Sequence, residues 1–545
     1  FMYIWQFSIN ENVVYGRAWS QFVDFLTALK NNILGELIVY VHNLAFEFQF
    51  LRNVIHDFEI FARSPRHVIV ARTDEFHTEF RCSLMLTNAS LAAVPQMFNL
   101  PVEKMTGDLD YNQIRLSTTP LTDKELKYCE HDCLVVYELI KKMRGEYGKV
   151  KSIPLTATGI LRRQFQQIYK NDKKYKKWLN QQLTVDIDSF VFQMRAFSGG
   201  YTHSNSYYTG EIMRGVHSYD ITSSYPTVMI AEMYPVTRFC DCALRDLDML
   251  DDQHCWIIDI TFTDIYSVFE NNYLSLSKSI DRYHALTDNG RVVKADSIRY
   301  ILTDVDIDVI KKCYRWGGYV INRVQRAEKG YLDKQLIEKI LELYNGKTKF
   351  KGLSNYENEY LHAKQGINSV YGMCVTNLIT DGVVYTDSNG WTVEPLTSDA
   401  AQEKLTAIFN NRNTFLSQAW GVYVTAYARR NLWSMIMQID TDVIYCDTDS
   451  IKYVGDHDDL FNIYNKDIVD KLKKACEHHG IPDDMLNPAD SKGVRHPLGV
   501  FDREEDYSSF VTLGAKKYAF KHKGGNIEIT LSGVKKSGAD ALKSL

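Results

Sequence analysis

The sequence has few prolines, no repeats and no long apolar runs, and each of these absences excludes a class of protein. It has 11 prolines in 545 residues, and neither an internal repeat nor a low-complexity segment, which excludes a solenoid and a proline-rich linker. No apolar run approaches the ~18 residues of a membrane span, and no secretory signal is visible. Hydrophobic residues make up 45% and charged residues 24%, which excludes disorder. We expect an intracellular, globular protein of about three to four domains that does not contact a membrane.

Cysteine pairing and a strong net charge are also missing. The ten cysteines are scattered, and Cys129, His131 and Cys133 form half a zinc motif without a second pair, so we expect a reducing compartment. The net charge is −5, but residues 507–545 contain seven lysines against two acids, a net charge of +5. The preceding 506 residues therefore carry −10. A basic tail is either a solvated end or a contact for a polyanion.

Strand-like and helix-like patterns alternate along the chain, which indicates an α/β or α+β protein. Residues 37–42 (LIVYVH) predict a buried strand followed by a helix, and residues 216–221 (VHSYDI) predict a strand that ends at an acid. A capping box at residues 122–125 predicts the start of a helix on which Tyr128 and Asp132 share one face.

Two further helices are predicted between residues 333 and 373. The first has apolar positions at helical spacing and is expected to stop at Asn345-Gly346, where the chain can leave the helix. The second is expected to start at a capping box at residues 354–357, and a basic connector with three lysines separates the two.

The carboxylates indicate the chemistry. Asp447 and Asp449 lie in a predicted hairpin turn between the apolar strands 443–446 and 451–454, and Asp220 also ends a strand. If these strands are neighbours, the carboxylates converge and could hold two divalent cations ~3.5–4 Å apart for phosphoryl transfer. Each observation alone also fits an ordinary Asx-rich turn or a strand-end acid.

A lysine on a predicted helix could supply positive charge to the same reaction. Lys364, Asn368 and Tyr371 are spaced i, i+4 and i+7, so they share a face. The lysine could bind a triphosphate as a point charge, and the tyrosine could pack against a base pair. A lysine extending from an amphipathic helix is the alternative for that residue alone.

Three segments together resemble family B DNA polymerases. Residues 219–226 (YDITSSYP) resemble motif A, residues 364–372 (KQGINSVYG) resemble motif B, and residues 445–450 (YCDTDS) resemble motif C, in the order typical of the family. Ser224 departs from the leucine that is usual in motif A. The resemblance is closest to the protein-primed subgroup of phages, adenoviruses and linear plasmids.

Further elements of that subgroup are present. Residues 197–200 (FSGG), 425–429 (TAYAR) and 516–518 (KKY) resemble its Y-x-G-G, T-x-x-G/A-R and K-x-Y elements. The resemblance implies DNA contacts by seven residues: Ser198, Gly199, Gly200, Thr425, Arg429, Lys516 and Tyr518. The long intervals of 144 residues between Asp220 and Lys364 and 75 residues between Gly372 and Asp447 leave room for the subgroup's two insertions.

The resemblance implies a multidomain α/β and α+β fold, with a ribonuclease-H-like exonuclease domain before a right-hand polymerase. We place the exonuclease-like domain at 1–155, the palm at 156–239 and 413–530, and the fingers at 333–375. Insertion 1, expected to contact the terminal protein, is placed at 240–332, and insertion 2, expected to support processivity and strand displacement, at 376–412. Residues 531–545 would begin a largely missing thumb.

The resemblance also assigns roles at the polymerase site. Two Mg²⁺ ions, or Mn²⁺ instead, would be held by Asp220, Asp449 and the Ile221 carbonyl, with Asp447 as a secondary catalytic acid. The incoming deoxynucleotide would be bound by Ile221, Tyr225, Lys364, Asn368 and Tyr371. Tyr225 would stack under the deoxyribose and exclude a 2′-hydroxyl. The expected partners are primer-template DNA, deoxynucleoside triphosphates and a terminal protein, and the enzyme is expected to be a monomer.

The N-terminal third resembles the family's 3′–5′ exonuclease, but only in part. The matching residues are Asn43, Phe46, Glu47, Ser90, Leu91, Tyr128 and Asp132. Glu47 stands where the family usually has aspartate, and the first motif, D-x-E, does not precede Asn43. We therefore expect that the given sequence starts just after that motif and that its exonuclease activity is lost or very weak.

Three other functions remain open at this stage. One is a family B polymerase that extends an ordinary nucleic-acid primer. Another is a non-catalytic DNA-binding remnant, against which the complete set of polymerase motifs argues. A protein with nuclease function alone is the third, although the motifs present are mainly those of synthesis.

Overall fold

The computed structural model describes residues 2–105, 114–183, 186–353, 356–411, 413–534 and 538–539, and the chain forms two compact units. The first unit comprises Phe1–Gln167, Gly352–His362 and Asn377–Ala401. The second comprises Ile168–Lys351, Ala363–Thr376 and Gln402–Leu545. None of the helices in the described ranges combines the length and the apolar character needed to cross a membrane.

Helices and strands are numbered in chain order over the described residues. The α-helices are α1 Trp19–Asn32, α2 Leu44–Leu51, α3 Ser83–Thr87, α4 Val94–Met97, α5 Asp123–Tyr147, α6 Ala157–Ile168, α7 Lys173–Leu183, α8 Ile187–Arg195, α9 Ser224–Ala231, α10 Asp304–Cys313, α11 Lys334–Phe350, α12 Glu357–Cys374, α13 Ser398–Phe409, α14 Gln418–Ile439 and α15 Asp458–His479. The strands are β1 Trp5–Ile9, β2 Asn12–Gly16, β3 Leu37–Val41, β4 Phe58–Ala62, β5 Val68–Thr73, β6 Thr78–Cys82, β7 Thr202–Ser204, β8 Met213–Ile221, β9 Tyr234–Pro235, β10 Cys240–Asp241, β11 His254–Ser267, β12 Asp281–Tyr283, β13 Leu286–Asp288, β14 Arg291–Thr303, β15 Tyr314–Arg315, β16 Gly318–Gly330, β17 Gly382–Thr386, β18 Gly390–Glu394, β19 Val443–Asp447, β20 Ser450–Tyr453, β21 Phe501–Gly514, β22 Lys517–His522 and β23 Ile527–Leu531.

The first unit is built on a four-stranded mixed sheet in the order β3-β6-β5-β4, in which only β3 and β6 are parallel. Its core is formed by apolar side chains of α1, α2 and the sheet, such as Leu26, Phe48 and Phe80. The hairpin β17–β18 belongs to this unit, and its Tyr385 and Trp391 pack against Phe48. An aromatic cluster therefore ties a distant segment of the chain to this core.

The second unit contains two antiparallel sheets. A seven-stranded sheet has the order β23-β22-β21-β8-β20-β19-β7. An eight-stranded sheet has the order β10-β16-β11-β14-β12, with β9, β13 and β15 attached to this path. Apolar residues of both sheets and of α14, including Trp433, Ile258 and Ile451, form one core cluster. The sheet with β8, β19 and β20 is the one that carries the predicted carboxylates.

Several predicted elements are confirmed. The strand and helix at residues 37–48 are β3 and α2, and the capping box at Thr122 starts α5, where Thr122 Oγ1 accepts from the Glu125 amide at 3.2 Å. The strand before Asp220 is β8, and the hairpin around residue 448 is β19–β20. Of the predicted capping box at residues 354–357, the first two residues lie outside the described residues.

The predicted end of the first of the two helices is wrong. The helix α11 continues through Asn345 and Gly346 to Phe350. Asn345 does not end it, because its amide nitrogen donates to the carbonyl of Leu341, one turn earlier, and to that of Met485, both at 2.8 Å. A Cβ on Gly346 would lie 3.4 Å from Cβ of Ala363, so the glycine permits close packing rather than ending the helix.

Candidate functional site

The predicted hairpin turn consists of two residues. The strand β19 ends at Asp447 and β20 begins at Ser450, which leaves Thr448 and Asp449 between them. Thr448 has a φ of +60°, a backbone conformation that is unfavourable for a β-branched residue. The Asp449 amide donates to the Asp447 carbonyl at 2.7 Å, and the Thr448 amide donates to the Tyr201 carbonyl, also at 2.7 Å. These contacts fix the turn in a strained shape.

Strand pairing brings Asp220 and Asp449 together although they are 229 positions apart. Ser450 lies directly opposite Asp220 in the β20–β8 pair. The Ile221 amide donates to the Asp449 carbonyl at 2.8 Å, which holds the end of β8 to the turn. The two carboxylates therefore stand at the same end of these paired strands, as the sequence predicts, and the charge of Asp449 disfavours ionisation of Asp220.

The surroundings of these two carboxylates favour their neutral forms. Burial raises the pKa of Asp220 to about 7, with further contributions from Asp449 and Glu504. Burial and the charge of Asp447 raise the pKa of Asp449 to about 6. A pair of carboxylates with raised pKa values is a site where a cation is electrostatically favoured.

Asp447 is bound differently. Its Oδ1 accepts from Thr202 Oγ1 at 3.0 Å and from Thr448 Oγ1 at 3.1 Å, and Lys516 Nζ lies 3.6 Å from the same oxygen. Tyr445 links this acid to the predicted K-x-Y element, because its hydroxyl accepts from the Lys516 amide at 3.0 Å and its ring packs 5.1 Å from that of Tyr518. The structure thus places Lys516 and Tyr518 beside the carboxylate turn.

The predicted glycine-rich element also lies at this turn. A Cβ on Gly200 would lie 2.8 Å from Thr448 Cγ2 and 3.1 Å from the Tyr225 hydroxyl, so only glycine fits without a shift. The rings of Tyr225 and Tyr371 stack with centroids 4.1 Å apart. Motifs A and B are therefore in contact through these rings, and motifs A and C are joined by the pairing of Asp220 with Ser450.

The helix pair α11–α12 adds positive charge. Lys364 and Asn368 are exposed on α12, on the face that the sequence predicts. Lys347 on α11, which the sequence prediction did not single out within its basic connector, donates to Ser223 Oγ at 3.2 Å. Burial and the charges of Lys351 and Lys364 lower the pKa of Lys347, while Asp220 and Asp449 raise it. Lys347 therefore lies within electrostatic reach of the carboxylate pair.

Two of the expected DNA contacts differ from the prediction. Thr425 and Arg429 are buried, with 0% and 3% of their surface exposed. The Arg429 guanidinium donates to the Ser198 and Gly199 carbonyls, to Tyr273 Oη at 3.1 Å and to Asp306 Oδ1 at 2.6 Å. It is committed to protein groups and is unavailable for direct contact with a nucleic acid, so it supports the glycine-rich element from within.

The predicted exonuclease residues lie in the first unit. Asn43 precedes α2 with a φ of +67°, and Phe46 and Glu47 are exposed in the first turn of that helix. Ser90 is exposed and Leu91 half-buried before α4. On α5, Asp132 Oδ1 accepts from Lys104 Nζ at 2.5 Å.

Lys104 is a residue that sequence reasoning missed. Besides its ion pair with Asp132, it donates to the Tyr128 hydroxyl at 3.1 Å and lies 4.6 Å from the centroid of the Tyr128 ring. No sequence pattern around Lys104 marks this contact. Across all described residues, no three His, Cys, Asp or Glu side chains converge closely enough to hold a metal by themselves.

Paired carboxylates on adjacent strands with lysines nearby are the combination that phosphoryl-transfer proteins use. The family model for DNA polymerase type B, organellar and viral, matches residues 105–467, which is more than half of the chain. The chain belongs to this family.

Similar proteins come from bacteriophages. The chain is 23% identical over 492 residues to a DNA polymerase of Bacillus phage B103, covering 86% of this chain and 79% of that protein. It is 24% identical over 413 residues to the DNA polymerase of Bacillus phage phi29, covering 74% and 65%. Among solved structures, phi29 DNA polymerase complexed with primer-template DNA superposes with a TM-score of 0.71 at 17% identity, covering 99% of this chain and 90% of that one. This likeness establishes a multidomain fold of mixed α and β structure.

Proposed function

We propose that this chain is the DNA polymerase of a protein-primed replication system, which adds deoxynucleotides to a primer 3′-hydroxyl by two-metal phosphoryl transfer. The proposal is supported chiefly by the pairing of Ser450 with Asp220 and by the charge of Asp449 acting on Asp220, which indicate that the two carboxylates are neighbours. Membership of the type B family supports the reaction, and the similarity to phage polymerases supports the mode of priming.

The residues present fit a divalent cation. Mg²⁺ takes one or two protein carboxylates and completes its shell with waters and substrate phosphates, so two adjacent carboxylates suffice even though no three His, Cys, Asp or Glu side chains converge among the described residues. Asp220, Asp449 and the Ile221 carbonyl would hold the ions. When bound, the two ions activate the attacking hydroxyl and stabilise the leaving pyrophosphate.

The chain's own side chains would bind and orient the substrates. Lys364, supported by Lys347, would neutralise the triphosphate as a point charge. The stacked rings of Tyr225 and Tyr371, with Asn368 on the same helix face as Tyr371, would form one wall of the nucleotide pocket. Tyr225 would exclude a 2′-hydroxyl from this wall.

The primer end would be bound beside Asp447. Lys516 is 55% exposed, so its charge is available to a phosphate once it leaves Asp447. Tyr518 and the Ser198–Gly200 backbone would complete this contact. The order of domains we propose is an exonuclease-like domain of ribonuclease-H type, then a right-hand polymerase with palm, fingers and two insertions, the first for the terminal protein and the second for processivity.

We assign the exonuclease region a lost or very weak activity. Its Glu47 and Asp132 supply two acids, and Asp132 is paired with Lys104. Unlike Asp220 and Asp449, these two acids do not lie on paired strands, and the lysine already neutralises one of them, so a two-metal site here would be incomplete. Degradation of a 3′-labelled strand with Mg²⁺ at a rate comparable with synthesis would contradict this assignment.

The test of the polymerase function is primer extension with Mg²⁺ and four deoxynucleotides. The wild type should extend the primer, and Asp449→Ala should abolish extension while the circular dichroism spectrum stays unchanged. The control is Asp252→Asn, at an exposed acid outside the predicted site, and it should leave extension unchanged. Extension that survives Asp449→Ala would refute the assignment. Attachment of the first nucleotide to a terminal protein separates protein priming from a polymerase that extends only nucleic-acid primers.

The sugar selectivity has a separate test. Tyr225→Val should increase incorporation of ribonucleotides, because it removes the ring that meets the 2′-hydroxyl. Tyr225→Phe keeps the ring and should behave as the wild type. Unchanged selectivity in Tyr225→Val would remove the stacking role from this residue.

A further inference from the structure

A buried lysine lies on the strand that carries Ser450. Lys452 is two positions further along β20 and is 6% exposed. It lies directly opposite Ser218 on β8, just as Ser450 lies opposite Asp220. Because alternate residues of a strand point to the same face, the Lys452 and Asp220 side chains share one face of the sheet, about 7 Å apart along the strand direction.

Three strands hold this lysine in place. Lys452 Nζ donates to Ser218 Oγ at 2.6 Å and lies 3.2 Å from Glu504 Oε2. Ser218 Oγ in turn donates to the same glutamate oxygen at 2.7 Å. The hydroxyl and the carboxylate thus fix the ammonium group from two directions.

A β-bulge brings the glutamate into this position. Arg503 pairs with Tyr219 and Glu505 pairs with Ser218, so Glu504 is the extra residue of β21. A bulge re-aims the side chain of the extra residue relative to the strand's alternation. Glu504 reaches the lysine for this reason, and its side chain remains 46% exposed.

The position of this charge points to a role at the site. Burying an ammonium group is costly, and an apolar side chain of similar size would fill the space at lower cost. Lys452 is buried two residues beyond Ser450 on β20, whereas Lys516 is exposed beside the turn. Its charge attracts both Asp220 and Asp449, whereas Glu504 repels them.

We propose that Lys452 is a positioning residue, a fixed counter-charge behind Asp220 and Asp449 that offsets their mutual repulsion and so holds the two carboxylates in place for the divalent cations. This inference rests on the proposed function for its consequence in catalysis. The expected effect of Lys452 on stability does not depend on the proposed function, because the carboxylates repel each other in the protein without any substrate.

The deciding variant is Lys452→Gln, which keeps an N–H donor on the side of Ser218 and Glu504 but removes the charge. Lys452→Arg keeps the charge and is the conservative counterpart. The matched control is Lys329→Gln, because Lys329 Nζ lies 2.7 Å from the buried Asp304 Oδ2 in the same unit and contacts neither carboxylate of the pair.

The first readout is the rise in melting temperature when Mg²⁺ alone is added at pH 8, without DNA or nucleotide. Without the counter-charge, the cation relieves more repulsion, so the rise in Lys452→Gln should be about twice that of the wild type. Lys452→Arg and Lys329→Gln should show the wild-type rise, whatever their own melting temperatures. A wild-type rise in Lys452→Gln would overturn the proposal.

The second readout separates kcat from KM in primer extension. Lys452→Gln should lower kcat by about tenfold and leave KM for the deoxynucleotide within about twofold, because Lys452 acts through the carboxylates and does not touch the nucleotide. Lys452→Arg should recover most of the loss. A raised KM with unchanged kcat would overturn the positioning role. Absence of extension by the wild type would instead refute the proposed function, and the melting experiment would still test Lys452.

Discussion

Replacing Asp220 by asparagine should stabilise the protein when no divalent cation is present. Asp220 has its pKa raised from 3.8 to about 7, chiefly by burial and then by Asp449 and Glu504. The folded state therefore holds this proton more tightly than the unfolded chain. The stability that protonation contributes is fully present below pH 4 and is lost as the pH rises through about 7. Asparagine keeps the shape and never ionises.

The magnitude follows from the size of the shift. Each unit of pKa corresponds to about 1.4 kcal/mol, so the full penalty for ionising Asp220 is about 4 kcal/mol. About half of it has developed by pH 5.5, since the penalty grows between the two pKa values. The advantage of Asp220→Asn over the wild type should therefore increase by about 2 kcal/mol between pH 5.5 and pH 8.

The assay is urea unfolding in the presence of a chelator at these two pH values, with the free energy of unfolding taken from each curve. Asp252→Asn, at an exposed acid, is the control and should show the same difference from the wild type at both. Adding Mg²⁺ at pH 8 should stabilise the wild type more than Asp220→Asn. An advantage of Asp220→Asn that shrinks as the pH rises would refute the reasoning, because the sign of the pKa shift would then be wrong.

Three other perturbations test the packing around the site. Gly200→Ala places a Cβ against Thr448 and should slow extension, measured by single-turnover kinetics, on the order of a hundredfold. Adding Thr448→Ala to this variant should recover part of the rate. Arg429→Gln leaves Asp306 buried without its cation and should lower the free energy of unfolding by about 3–5 kcal/mol in urea, whereas an unchanged midpoint would contradict the buried ion pair. Trp391→Ala should loosen the β17–β18 hairpin, which lies in the proposed insertion 2. In the presence of a DNA trap, the product made per binding event should become shorter, while the rate of single-nucleotide addition stays the same. An unchanged product length would argue against a role of the hairpin in processivity.

The sequence predicts the parts of this structure that depend on local chemistry. A capping box marks the start of α5, and two acids between apolar strands mark the β19–β20 turn. The end of α11 is predicted wrongly because Asn345 is stabilised within the helix by a carbonyl 140 positions away in sequence. Long-range partners of this kind leave no local pattern.

The lysines of the site show the same limit more sharply. Lys364 is predicted because it lies in a recognisable motif. Lys347 and Lys104 lie in segments where a lysine is ordinary, and only the folded chain shows what they contact. Lys452 has a weak local signal, since it stands between the apolar Ile451 and Tyr453 in a short strand, where a charge is unusual. Arg429 shows the reverse error, because a motif predicts a contact with DNA and the structure buries the side chain.

The distribution of these cations explains how an acidic chain can bind a polyanion. The net charge of −5 would oppose binding if it were spread evenly, but a binding site responds to the charges within about a Debye length, ~8–10 Å. Around the carboxylate pair the lysines differ in burial: Lys452 is buried, Lys347 is half-buried and Lys516 is exposed. An exposed lysine can exchange an acid for a phosphate, whereas a buried one cannot leave its partners. The buried charge of Lys452 therefore acts on the carboxylates, and the exposed charge of Lys516 acts on the substrate. For this reason, removing Lys452 should affect kcat, whereas removing Lys516 should affect binding of the primer.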